Sequence, residues 1–226
     1  MDNERILSPQ ATDEDEMNWG LRPRRIDEYI GQRATIERLS IAIAAAKGRG
    51  EKLDHLLLHG PPGLGKTTLA YIIAEEMHRE IALTSGPALE RPADLMGFLL
   101  NANEGDIIFI DEIHRLPRVV EEFLYSAMED YMVNFTLDKG LYSKPLPMKL
   151  QQFTLIGATT RPALLSRPLR DRFGIQQHFD FYDEDDLIKI TQRSARILET
   201  HLEPDGAREL ARRARGTPRI ANRLLA

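Results

Sequence analysis

The sequence predicts an α/β protein, a parallel sheet flanked by helices and followed by a small all-α segment. Three observations carry that prediction. Short apolar runs alternate with amphipathic stretches between residues 55 and 181, a glycine-rich phosphate-binding pattern sits where the first run ends, and beyond Phe181 the composition becomes helical throughout.

The runs "HLLLH" from 55, "IALTS" from 81, "IIFI" from 107, "FTLIGA" from 153 and "HFDF" from 178 have the length and near-continuous apolarity of strands buried on both faces. His55 and His59 share helical spacing but flank the leucine run, where a strand fits better, so no histidine metal site is expected. Between the runs, Leu69, Ile72, Ile73 and Met77 fall on one helical face, as do Val120, Phe123, Leu124 and Met128 after the break at Pro117. Residues 132–150 alternate Val133, Phe135 and Leu137 before the turn Asp138-Lys139-Gly140, which reads as a hairpin. Asp183 is placed to cap a helix whose first turn holds Glu184, Asp185 and Asp186, with Leu187, Ile190, Ile197 and Leu198 as its apolar face. A second helix follows Pro204, and "RGTPRIANRLLA" opens a third that ends in an apolar pattern without a Gly or Asn cap, as an incomplete lid would. The first residues are acidic and poor in apolar side chains, as in a mobile arm. The expected organisation is an arm at 1–17, a large domain at 18–181 and a helical lid at 182–226.

At 226 residues, 42% of them hydrophobic, the chain is long enough to bury a full core. The net charge of -5 speaks against a whole-molecule footprint for DNA, whose binding is driven by phosphate neutralisation. The absence of cysteine removes disulfides, thiolate metal sites and cysteine nucleophiles together and suits a reducing compartment. The N-terminus lacks a basic-then-apolar leader pattern and no apolar run reaches the roughly 20 residues that cross a bilayer, so the cytoplasm is the expected location and no membrane partner is expected.

Three motifs carry chemistry. "GPPGLGKTT", Gly60 to Thr68, satisfies G-x-x-x-x-G-K-[ST] between a strand and a helix: glycines let backbone amides approach phosphates, Lys66 reaches the β and γ groups, and the Thr67 hydroxyl can ligate Mg²⁺. "IIFIDEIH" ends a strand in Asp111, suited to the outer coordination of that ion, and Glu112, suited to orient or deprotonate water. "LIGATTRP" places Thr160 at a strand C-terminus, where ligands of open α/β sheets lie. A fourth stretch, "PLRDRFGI", sets Arg170 and Arg172 around Asp171; taken alone it reads as a solvated loop with a local ion pair.

Together with "MEDY" and "ARGTPRIANRLL", in this order and spacing, these segments closely resemble the RuvB family of AAA+ motors, over roughly Ile6 to Ala226. The resemblance implies a P-loop AAA+ ATPase that drives Holliday junction branch migration as a hexameric ring, with ATP and Mg²⁺ as ligands. It implies Leu21 and Arg22 near the adenine, Gly63, Lys66, Thr67 and Thr68 around the phosphates, and Glu129, Asp130, Tyr131 and Tyr182 completing the surroundings. Thr160 would be sensor 1, Arg219 sensor 2, and Arg172 an arginine finger acting on a neighbouring subunit. The same resemblance implies a RuvA-like junction-binding partner at the hairpin 132–150, a RuvC-like resolvase in the larger complex, and DNA contacts made mainly by a winged-helix domain that this sequence does not include. Ala163 stands where the family often has glycine, away from the proposed catalytic groups. Two alternatives stay open: a clamp-loader-like AAA+ subunit, against which "MEDY" and "GTPRIANRLL" discriminate, and a nucleotide-dependent interaction module without turnover.

Overall fold

A computed structural model describes residues 19–135 and 146–226; the expected arm and the hairpin turn at Asp138 to Gly140 lie outside the described residues. Five parallel strands form the sheet: β1 (Leu56–His59), β2 (Ile81–Ser85), β3 (Ile107–Asp111), β6 (Thr154–Thr159) and β7 (Ile175–His178), in the order β2-β3-β6-β1-β7. The side-chain alternation of a strand divides the core in two. On β1, Leu56 and Leu58 face α1 (Arg33–Arg49) and α2 (Lys66–Met77), whereas Leu57 faces α3 (Pro92–Asn101) and α4 (Arg118–Glu129). All six residues of β6 are buried, so the sheet is covered on both faces as its apolar runs require.

The fifth strand lies at Ile175–His178, earlier than the apolar run "HFDF" suggested. β7 is an edge strand paired with β1 alone, which tolerates the exposed Gln176; Gln177 turns inward to Thr35, whose hydroxyl lies 3.4 Å from Gln177 Oε1. Phe179 is fully buried just past the strand, while Phe181 is 61% exposed.

The expected hairpin is present as β4 (Met132–Phe135) antiparallel to β5 (Leu146–Lys149), with Val133 turned into the core opposite Met148. The arginine stretch is a short helix rather than a loop: α5 (Arg167–Asp171) starts at Ser166, whose hydroxyl accepts from Leu169 N, and Pro168 fits its first turn. Leu169 and Phe173 are buried beneath it.

The C-terminal helices are α6 (Glu184–Ile197), α7 (Pro204–Arg213) and α8 (Pro218–Leu225). Asp183 caps α6 by accepting from Asp186 N at 2.7 Å. The buried face of α6 is only partly the aliphatic one expected: Leu187 is buried and Ile190 packs against the core, but Ile197 is 45% exposed and Thr191, Ser194 and Ala195 share the interior. Small side chains let the helices approach closely, and the hydroxyls are satisfied, Thr191 Oγ1 by Leu187 O one turn back and Ser194 Oγ by Asn222 Oδ1 of α8, 2.8 Å away. Among the described residues no helix is long and apolar enough to cross a membrane.

Candidate active site

The phosphate loop leaves β1 and enters α2 beyond the C-terminal edge of the sheet. Its backbone goes where side chains cannot. Gly63 has φ 77, and a Cβ there would stand 2.8 Å from Thr217 and 3.2 Å from Arg219; Gly65 has φ 97, and a Cβ would stand 2.5 Å from the Tyr29 hydroxyl. The loop is gripped from three directions. Tyr29 and Tyr182 both donate to Leu64 O, at 3.3 and 3.2 Å, and the Arg219 backbone N–H approaches Gly63 O at 3.4 Å. Burial pushes the Tyr29 phenol well above the usual range, and burial raises Tyr182 to about 12, so both stay neutral donors.

Lys66 is 7% exposed and donates to Gly60 O at 2.9 Å and Pro61 O at 2.8 Å. Burial lowers its pKa, and Asp111 and Glu112 oppose that shift. Burial is also the leading cause that raises Asp111, whose Oδ1 accepts from Glu112 N at 2.8 Å. Glu112 stands at φ 47 in the left-handed region, just past β3, and its Oε2 accepts from Thr160 Oγ1 at 3.2 Å.

These groups surround one cleft of ≈ 440 Å³. Of the residues expected at a nucleotide site it contains Leu21, Arg22, Gly63, Lys66, Thr67, Thr68, Asp111, Glu112, Thr160, Tyr182 and Arg219. It also contains residues that motif reading missed, notably Tyr29, Ile30, Ile190, Arg193, Pro218 and Asn222. Asn222 follows Arg219 by three residues on α8, a spacing that would have flagged it once Arg219 was chosen. Arg193 ties α6 to the N-terminal segment, donating to Leu21 O at 2.7 Å and pairing with Glu28 at 3.5 Å. The cleft mixes apolar walls, cationic side chains and glycine backbone, which suits a ligand with a flat apolar end and an anionic tail.

Four expected site residues lie elsewhere. Glu129, Asp130 and Tyr131 close α4, and Arg172 follows α5 beside them, outside the cleft. The Arg172 guanidinium is engaged within its own chain. Its Nη2 donates to Glu129 Oε2 at 2.6 Å, its Nη1 to Pro168 O at 2.9 Å, and its Cζ lies 4.8 Å from the centre of the Tyr125 ring. Asp171 pairs with Arg167 at 3.5 Å, as a loop-shaping ion pair should. Tyr131, at φ 51, meets Phe153 edge-on at 5.7 Å and carries Lys52 Nζ over its ring at 5.3 Å.

Known proteins share both parts of this arrangement. The family described as "Holliday junction DNA helicase RuvB P-loop domain" matches residues 21–179, and the "RuvB AAA lid domain" matches residues 182–226. The chain belongs to the RuvB family. RuvB relatives include the Holliday junction branch migration complex subunit RuvB of Pediococcus pentosaceus, 56% identical over 100% of this chain and 67% of that protein. The subunit of the same name from Salinibacter ruber is 58% identical over 91% of this chain and 60% of its own length. Among solved structures, the Thermotoga maritima RuvB Holliday junction branch migration motor superposes with a TM-score of 0.81 at 51% identity, over 91% of this chain and 64% of that one. The chain therefore spans 60 to 67% of the length of these curated RuvB relatives. A match on both segments selects RuvB over the clamp-loader alternative.

Proposed function

We propose that this chain is the ATP-hydrolysing part of a RuvB-type motor, acting in the cytoplasm as a hexameric ring on Holliday junctions. The observation that carries the reading is the cleft, which collects the phosphate loop, the Asp111-Glu112 pair, Thr160 and Arg219 from four separate stretches of chain. In this reading Leu21 and Arg22 bound the adenine, Tyr182 completes the surroundings, and Gly63, Lys66, Thr67 and Thr68 hold the phosphates at the N-terminus of α2. The Thr67 hydroxyl and the Asp111 carboxylate supply an oxygen donor set that fits Mg²⁺, which when bound neutralises charge on the β and γ phosphates. Glu112 orients a water and takes up its proton as the water oxygen bonds to the γ phosphorus and the bond to ADP breaks. Thr160 and Arg219 report on the γ phosphate.

Arg172, Glu129, Asp130 and Tyr131 sit apart from their own cleft, which suits service to the cleft of a neighbouring subunit. The hairpin 132–150, with Met132 at 41% and Leu146 at 51% exposure, is the assigned seat of a RuvA-like partner. A RuvC-like resolvase joins the larger complex, and DNA is held mainly by a domain beyond the lid. Two variants test the core of the proposal. Lys66→Ala should abolish binding in a fluorescent ATP titration, whereas Glu112→Gln should bind ATP normally and turn over about 10² to 10⁴ times more slowly. Unimpaired ATP affinity in Lys66→Ala, or full turnover in Glu112→Gln, would rule the assignment out and leave a nucleotide-dependent interaction module.

A further inference from the structure

His114 belongs to none of the roles assigned above, yet its ring stands against the proposed base. It lies in the short 3₁₀ turn Ile113–Arg115 directly after β3 and Glu112, with its side chain 7% exposed. Its Nδ1 stands 3.1 Å from Glu112 Oε2 and 2.9 Å from Thr159 Oγ1. Thr159 is the last residue of β6, and its hydroxyl oxygen already accepts from Arg161 N at 2.9 Å. The neighbouring Thr160 hydroxyl donates to the same Glu112 Oε2.

These contacts determine where the imidazole proton sits. A bare Nδ1 lone pair facing a carboxylate oxygen at 3.1 Å would be repulsive, whereas an Nδ1–H satisfies that oxygen and reaches the Thr159 oxygen as well. With two donors converging on Oε2, the carboxylate plane is held at one edge. Oε1 has no hydrogen-bond partner among the described residues and belongs to a side chain that lines the cleft. Glu112 needs such a hold: its backbone is in the left-handed region and its side chain is 33% exposed, so packing alone leaves the carboxylate free to rotate.

We propose that His114 is a positioning residue for hydrolysis, its Nδ1–H fixing the Glu112 carboxylate against the end of β6 so that Oε1 faces the attacking water. The proposal rests on the reading of Glu112 as the group that acts on water. A carboxylate displaced by about 1 Å from a water in line for attack loses up to about 10² in rate without any change in substrate binding.

The test is single-turnover ATP hydrolysis by the assembled full-length protein, with ATP affinity and thermal unfolding measured on the same samples. His114→Ala should bind ATP within about twofold of the unmutated protein while its rate falls about tenfold to a hundredfold. His114→Asn puts an amide N–H near the position of Nδ1 and should recover most of the rate; His114→Gln carries its donor one carbon further out and should not. Where His114→Ala proves unstable, the Asn and Gln variants decide by themselves, since both fill the space with an amide and differ in where the donor sits. Full activity in His114→Ala, or equal rates in the Asn and Gln variants, overturns the proposal. Glu112→Gln run alongside separates the two levels: if it hydrolyses ATP normally, the reading of Glu112 fails and His114 has nothing to position; if it is inactive while His114→Ala is normal, the role of His114 alone is refuted.

Discussion

Lowering the pH from 7 to 5 should destabilise the fold by about 2 kcal/mol through His55 alone. His55 joins three elements: Nδ1 accepts from Leu155 N of β6 at 2.9 Å, and the opposite nitrogen Nε2 lies 3.1 Å from Met128 O near the end of α4, just before β1 begins. That pattern demands a neutral ring protonated on Nε2. Burial, followed by the nearby Lys52 charge, lowers its pKa from 6.5 to about 4, against smaller opposing effects of Met128 O and Asp54. The sign follows from proton counts. Below pH 6.5 the unfolded chain binds a proton that the folded chain refuses until about pH 4, so stability present above pH 6.5 is lost across that window. At about 1.4 kcal/mol per pH unit, the loss reaches about 2 kcal/mol at pH 5 and about 3 kcal/mol near pH 4. Urea unfolding at pH 7, 6 and 5 measures it, with His55→Leu as the reference. The variant should be less stable at pH 7 by about 2 to 4 kcal/mol, because two buried backbone groups lose their partner. It should also lose about 2 kcal/mol less than the unmutated protein between pH 7 and pH 5. Parallel pH profiles for the two proteins would refute the account, since the slope would then come from other groups.

Arg172→Ala should bind ATP nearly normally yet hydrolyse it about 10³ to 10⁵ times more slowly, and mixing it with Lys66→Ala should restore part of the activity because each supplies what the other lacks. A mixture that co-assembles and stays inactive counts against action in trans and leaves Arg172 as the partner of Glu129. Asp183→Ala removes the side chain that accepts from Asp186 N and should lower stability by about 1 kcal/mol, read as a fall in Tm; an unchanged Tm would mean that water replaces the cap at no cost.

Contiguous motifs were legible in the sequence because they act locally. A phosphate loop between strand and helix, an acidic pair at a strand end and Asp183 before three acids each declare their geometry within a few residues. β7 was misplaced because an edge strand carries polar residues and defeats a search for apolar runs. The interior of α6 was misread for a related reason: Thr191 and Ser194 look like surface residues until partners on neighbouring turns and helices satisfy their hydroxyls. Tyr29 and Arg193 are not legible in the sequence because their partners, Leu64 and Leu21, are distant along the chain. The pairing of Arg172 with Glu129 is hidden for the same reason.

The grip on the phosphate loop has a mechanical consequence. Leu64 O is held by hydroxyls from the N-terminal segment and from Tyr182, the residue just ahead of the helical lid, while Gly63 O meets the backbone of α8. The loop is therefore a fulcrum, and the helices beyond it form an arm. The 14-residue α6 is about 21 Å long, so a rotation of about 10° at its root carries its far end about 4 Å, most of one helical turn. A small rotation at the loop would be magnified along that arm, within the travel allowed by Arg193, which ties α6 to Leu21 O and Glu28.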